Sequence, residues 1–369
     1  MIEQKEGESV GEQLSLKMYG RRGLLALVLV LGVAVVAVSP LRAAERNSYT
    51  VTPLVSDQPG VAPNTDPNLV NAWGLTSSPT SPWWVSDNGT DKSTLYRGSD
   101  GLPFPPGAPL VVNVPNAPTG TVFNPTTGFV LPTGGKALFL FDTEEGKVLG
   151  WNGAQGTNAI VVADLGDGAI YKGLAIADTS AGQRLYAADF HNAKVDVFDG
   201  SFGLVLNSGF VDPALPSGYA PFGIQTIGDR VFVTYAKQDA DAEDEIAGQG
   251  KGFVDAYDTA GNLVSRVAQH GQLNAPWGLA LAPDTFGRFA GDLLVGNFGD
   301  GQINAYAEHN GQFTHQGELR DESGNSLSID GLWALEFGQG GNNGPAGTLF
   351  FTAGPDDETH GLFGQINVG

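Results

Sequence analysis

The sequence contains no cysteine, and that one absence excludes disulfides, thiol catalysis and Cys-ligated metal sites together. Stability must therefore come from core burial and strand pairing. Basic residues are also scarce: 19 Lys and Arg stand against 40 Asp and Glu in 369 residues, a formal charge of −21. Such a chain repels nucleic acid and anionic membranes, so neither is an expected partner. No Gly-x-Ser-x-Gly elbow, phosphate-cradling loop or dinucleotide fingerprint occurs. The five histidines (His191, His270, His309, His315 and His360) show no helical zinc spacing.

Long apolar runs are limited to one. Residues 23–38 follow the basic pair Arg21-Arg22 and end at Ser39-Pro40, before Ala43-Ala44. Sixteen residues are short for a membrane span but suit the h-region of a signal peptide. Met18 would open an ordinary signal peptide of that kind. The expectation is an extension and signal peptide over 1–44, a single domain over 45–369, and a secreted, periplasmic or cell-surface address. No membrane span is expected in the mature chain, which reads as a monomer.

What the chain has in abundance is glycine (53 residues) and proline (22), with short alternating strands between them. An apolar strand opening on glycine recurs at Gly74, Gly120, Gly173, Gly223, Gly278 and Gly331, in steps of 46, 53, 50, 55 and 53 residues. That period marks a β-propeller rather than stacked helices. Each repeat reads as four strands, the fourth of the third repeat being a weak one near Gly209–Val211. The last repeat supplies three strands and then the chain ends. The missing strand is available at the other end, in Tyr49–Val55, where it would cover an otherwise open sheet edge. The predicted fold is an all-β, six-bladed β-propeller with four-stranded blades, closed by that N-terminal strand.

Polar residues gather after each second strand, at Asp87, Asn88, Asp189, His191, Asn297, Asp300, Asp356 and His360. If the repeats deliver them to equivalent places, they form a carboxylate-rich rim suited to a ligand, to Ca²⁺ or to another divalent cation. Asx turn chemistry explains the acids and amides equally well, though it does not require the two histidines. Trp73, Phe222, Trp277 and Trp333 sit beside the repeat glycines, either as packing between blades or as a stacking platform. The acidic insertion Gln238–Lys251 opens like a calcium loop, but Asp244 stands where that loop needs glycine and Gly250 where it needs glutamate. A solvated, mobile loop is the expectation there.

Several phrases together resemble an uncharacterised family of exported bacterial β-propellers, some of whose members carry a PEP-type C-terminal sorting tail. They include Asn68-Leu-Val-Asn-Ala-Trp-Gly-Leu75, Ala220-Pro-Phe-Gly-Ile-Gln225, Ala275-Pro-Trp-Gly-Leu-Ala280 and Leu294-Val-Gly-Asn-Phe-Gly-Asp-Gly301. This chain stops at Gly369 without such a tail. The resemblance implies a fold and an export address and supplies no agreed catalytic residues. More distantly the blades are similar to NHL-type and lactonase-type propellers, the latter implying a divalent cation in the channel. The reading that follows is a non-catalytic module binding a glycan, peptide or protein on one face. The alternatives are a divalent-metal-dependent lactonase-like hydrolase and a structural surface or matrix protein.

Overall fold

Alternating apolar and polar residues, cut by Gly, Asp and Asn turns, give strands that fold back on their predecessors. The computed structural model describes residues 47–369, so the expected signal peptide lies outside the described residues. The chain enters through β1 (Tyr49–Ser56) and β2 (Asn64–Thr65). The first blade is β3 (Ala72–Thr76), β4 (Trp83–Asp87), β5 (Lys92–Tyr96) and β6 (Val111–Asn113). The second is β7 (Pro118–Phe123), β8 (Phe139–Thr143), β9 (Lys147–Trp151) and β10 (Ile160–Asp164). The third holds β11 (Tyr171–Thr179), β12 (Gly182–Asp189) and β13 (Lys194–Asp199).

The fourth blade is β14 (Tyr219–Ile227), β15 (Arg230–Lys237), β16 (Phe253–Asp258) and β17 (Leu263–Gln269). The fifth is β18 (Pro276–Leu281), β19 (Leu293–Asn297), β20 (Ile303–His309) and β21 (Gln312–Glu318). The sixth combines β22 (Leu332–Phe337), β23 (Leu349–Ala353) and β24 (Leu362–Val368) with β1, to which β2 adds a short parallel edge. β1 pairs antiparallel with β24 from Tyr49↔Val368 to Ser56↔Leu362, so the ring closes as the three-strand deficit requires. Among the described residues no helix is long and apolar enough to cross a membrane.

Two details differ from expectation. The third blade has no fourth strand near Gly209–Val211. A single bridge, Phe198↔Leu204, stands at that edge instead, because Asp199 turns the chain back at once by accepting Ser201 N and Gly203 N. The sixth repeat is also offset. Gly331 is not the counterpart of the other glycines: it has φ 62° and lies in a turn against Gly354. The register equates Leu75↔Val85, Leu279↔Val295 and Leu335↔Phe351, which places Ala334 at the sixth position.

With that register every inner strand carries the same irregularity. A bulge interrupts pairing at Trp73-Gly74, Thr119-Gly120, Lys172-Gly173, Phe222-Gly223, Trp277-Gly278 and Trp333-Ala334. The glycines are needed because neighbouring inner strands nearly touch there. A Cβ on Gly223 would lie 2.1 Å from the carbonyl oxygen of Trp277, and one on Gly120 2.3 Å from the amide of Leu174. The ring of bulges therefore narrows the central channel and presents the residue before each glycine near the axis.

Candidate functional site

Five of the six bulged residues (Trp73, Lys172, Phe222, Trp277 and Trp333) pack together at one end of the channel, while Thr119 turns its hydroxyl to Asp142 and the Tyr171 carbonyl. Trp73 stacks on Trp333 with ring centroids 3.6 Å apart, Trp277 meets both edge-on, and Phe222 meets Trp333. This is aromatic packing, and Trp73, Phe222 and Trp333 are buried. Lys172 is 2% exposed, with its ammonium 5.2 Å from the Trp73 ring and its carbonyl accepting the Trp277 indole N–H at 2.7 Å. Its Nζ lies 2.5 Å from Glu144 and 3.2 Å from Asp244. Burial alone would push this ammonium down, but Glu144 and Asp244 outweigh it and hold it above the ordinary lysine range.

Asn88 and Asn71 extend the cluster by donating to Glu144 at 2.9 Å and Glu358 at 2.6 Å. Asp244 belongs to the acidic insertion, which is largely exposed, as expected, but tethered to its neighbours. Gln238 bridges to Glu245, donates to the Phe190 carbonyl at 2.6 Å, and so folds the segment toward the axis. Glu245 sits there with its carboxyl raised by burial to about 7 against the pull of Lys172.

This is the end of the molecule that bears the eight residues singled out from the sequence. Asp87 is buried and accepts Thr94 Oγ1 at 3.2 Å, and Asp189 accepts the amide and side chain of Asn192. The His191 ring donates to Ala242 O at 3.2 Å, and His360 donates to Asp57 at 2.8 Å. Asn297 donates to Asp300 at 3.1 Å; Asp356 is exposed in a left-handed turn. Asn297 and Asp300 are thus brought together, and Asn88 reaches the axial cluster. The remaining five are engaged with other partners or, for Asp356, with solvent. A nearby acidic group, Asp167, Asp189 and Asp196, surrounds Lys194 Nζ at 2.9, 3.5 and 3.0 Å, so one ammonium offsets part of its charge.

The opposite end of the channel is open. A cavity of about 290 Å³ lies below the glycine ring, walled by Leu75, Val122, Phe123 and Ile176 and edged by Thr76, Gln225, Thr226, Glu336 and Gln339. Among the described residues the Glu336 carboxyl has no hydrogen-bond or ion-pair partner, the Gln225 amide has none, and Thr226 Oγ1 is buried without one. Burial alone raises Glu336 to about 8. Glu336 and Lys172 both escaped the sequence reading. Once Ala334 replaces Gly331 as the anchor, Glu336 aligns with Thr76, Val122, Ala175, Gln225 and Ala280, and is the one charged residue in that ring position.

No family model matches this sequence. It is 33% identical over 341 residues to the uncharacterized protein R648 of Acanthamoeba polyphaga mimivirus, covering 86% of this chain and 80% of that protein. The chain belongs to its family. A second uncharacterized mimivirus protein, L690, is 32% identical over 344 residues, with 86% of each chain covered. Among solved structures it is similar to the soluble aldose sugar dehydrogenase of Escherichia coli, with TM-score 0.53, 13% identity and 87% of this chain and all of the other covered. A streptogramin B lyase gives TM-score 0.51 and 11% identity over 87% and 98%. These likenesses are of fold. The resemblance noted in the sequence holds at the level of the six-bladed propeller.

The raised carboxyls carry a pH signature. Asp142 is held at about 7 by burial, against hydrogen bonds from Thr119 and Gly120, beside Glu245 at about 7 and Glu336 at about 8. A carboxyl that holds its proton more tightly when folded stabilises the fold fully below about pH 4, and that contribution is lost as pH rises through 7 to 8. Acids with lowered values, such as Asp258 and Asp321, act in the opposite sense at low pH. The melting temperature should therefore be highest near about pH 5 and fall toward about pH 9, with Asp142→Asn removing part of the fall. A flat thermal-melt profile over that range would contradict these assignments.

Proposed function

We propose that the protein is a non-catalytic binding propeller that takes a small organic ligand into the lower end of its channel. The observation that carries the reading is the cavity itself, lined by Glu336, Gln225 and Thr226, whose side-chain polar groups have no partner among the described residues. Its volume is near the lower end of ordinary ligand pockets, roughly 300 Å³ and upward. At the loop end the axis is filled by tryptophan and by the Lys172 ion pairs.

The hydrolase alternative needs a divalent cation, and hard cations take about six oxygen ligands or more. The cavity supplies a single carboxylate, while Glu144 and Asp244 at the other mouth already share an ammonium. The residues at these two mouths do not fit that group. Export through residues 23–38 is also proposed, on the basic pair and apolar run; recovery of full-length chain in the cytoplasm of the native host would overturn it.

A fragment library screened by thermal shift tests the site. Hits should stabilise the wild type and lose their effect in Ala175→Phe, which fills the cavity. If His191→Ala or Asp300→Ala abolishes binding while Ala175→Phe leaves it intact, the ligand sits among the loops and the proposal fails.

A further inference from the structure

We infer that the lower cavity selects a small organic cation, a protonated amine whose ammonium pairs with Glu336 while its carbon body lies against Leu75, Val122 and Ile176. This rests on the reading that the cavity is the ligand site, and names the ligand's chemistry.

Among the described residues Glu336 is the one titratable side chain lining the cavity; the other polar groups there are amides and hydroxyls of Thr76, Ser77, Thr121, Gln225, Thr226 and Gln339. Among the described residues no cation answers it, in contrast to Glu144 and Asp244 at the other mouth, which share Lys172. A carboxyl so placed either keeps its proton or carries an unpaired charge in a poorly hydrated space. An anionic ligand would add a second charge of the same sign. A neutral ligand would leave the acid protonated, able to exchange a hydrogen bond with it but with no charge pairing to gain.

A cationic ligand brings the missing counter-charge. An ammonium has three N–H donors, and Glu336 with the oxygens of Gln225 and Thr226 offers acceptors for them around one cavity. A bare metal ion fits poorly, as one carboxylate cannot complete a hard-cation shell and much of the wall is hydrocarbon. The volume, about 290 Å³, admits an organic body such as a six-membered ring. The overall charge of −21 also attracts cations from a distance. Binding involves no covalent step: the ligand arrives as ammonium, and Glu336 releases its proton to solvent as the ion pair forms.

The probe is cyclohexylmethylamine, set against cyclohexylmethanol, which has nearly the same shape and no charge. Calorimetry on the wild type should show amine affinity rising on the order of a hundredfold from about pH 6 to about pH 9, as an acid titrating near 8 ionises. One proton should be released per amine bound near about pH 6 to 7, read from buffers of different ionisation enthalpy. Glu336→Gln removes a half-buried acid without changing size, so it should fold, lose the pH-dependent rise and bind the amine no better than the alcohol. If the alcohol matches the amine in the wild type and Ala175→Phe blocks both, the cavity is the site but cation selection is wrong. If the amine binds equally well to Glu336→Gln, or if neither probe binds at any pH, the inference is overturned.

Discussion

Deleting residues 47–57 is expected to lower the unfolding free energy by about 5 kcal/mol or more, enough to consume most of a typical domain's stability. β1 is the outer partner of β24 over seven paired positions, and it buries Tyr49, Leu54 and Val55. Each such side chain contributes roughly 1.5–3 kcal/mol by burial, an upper estimate because unfolded chains already hide some apolar surface. Tyr49 further joins blades, stacking with Phe286 and Phe289 beside the fifth blade. The deletion also exposes the edge of β24, so aggregation should accompany the loss. Urea unfolding of the two forms measures the difference. A loss below about 1 kcal/mol would mean that the ring does not depend on this closure.

The second large effect concerns the bulges. Gly223→Ala places a methyl group 2.1 Å from the Trp277 carbonyl and 2.9 Å from Thr234 Oγ1, which already accepts the Gly223 amide at 2.8 Å. Backbone cannot yield as a flexible side chain does, so two inner strands must separate. The expected cost is about 3 kcal/mol or more, the upper range for overpacking. Gly153→Ala is the matched control, because its added Cβ meets nothing within 4 Å. It should change stability by less than about 0.5 kcal/mol. Chemical denaturation of both variants checks the pair; equal effects would mean that the glycine ring is not a point of contact.

How much of this was legible in the sequence differs between the fold and the site. Repeat spacing and strand alternation were enough to read six blades and the closure through Tyr49–Val55, because both follow from local pattern and from the cost of an open edge. The offset of the sixth repeat was not legible. Gly331 and the ring glycines look alike as letters, yet one serves a left-handed turn and the others a close approach between strands. That offset hid Glu336, whose meaning depends on aligning β22 with the other inner strands. Lys172 was hidden for a different reason. It fills a position otherwise held mainly by aromatics, and its partners Glu144 and Asp244 come from two other blades.

The loop residues read from the sequence are where the repeats place them, at one end of the molecule. Side-chain partners decide what they do there, and sequence spacing does not reveal partners. Asp189 spends its oxygens on Asn192 and Ile170, and His360 turns to Asp57. Turn formation and ligand binding draw on the same residue types, which is why the pattern alone left both readings open.

The most direct test of the account is the titration of Glu336 by ¹³C NMR, following its side-chain carboxyl carbon in selectively labelled protein, with Glu336→Gln to assign the signal. Glu336 is half-buried at the open end of the channel and has no partner among the described residues. The expected midpoint is about 8 in the free protein. A midpoint in the range of exposed glutamates, roughly 4.3, would show a well-hydrated carboxyl and contradict the assignment of this cavity as the ligand site.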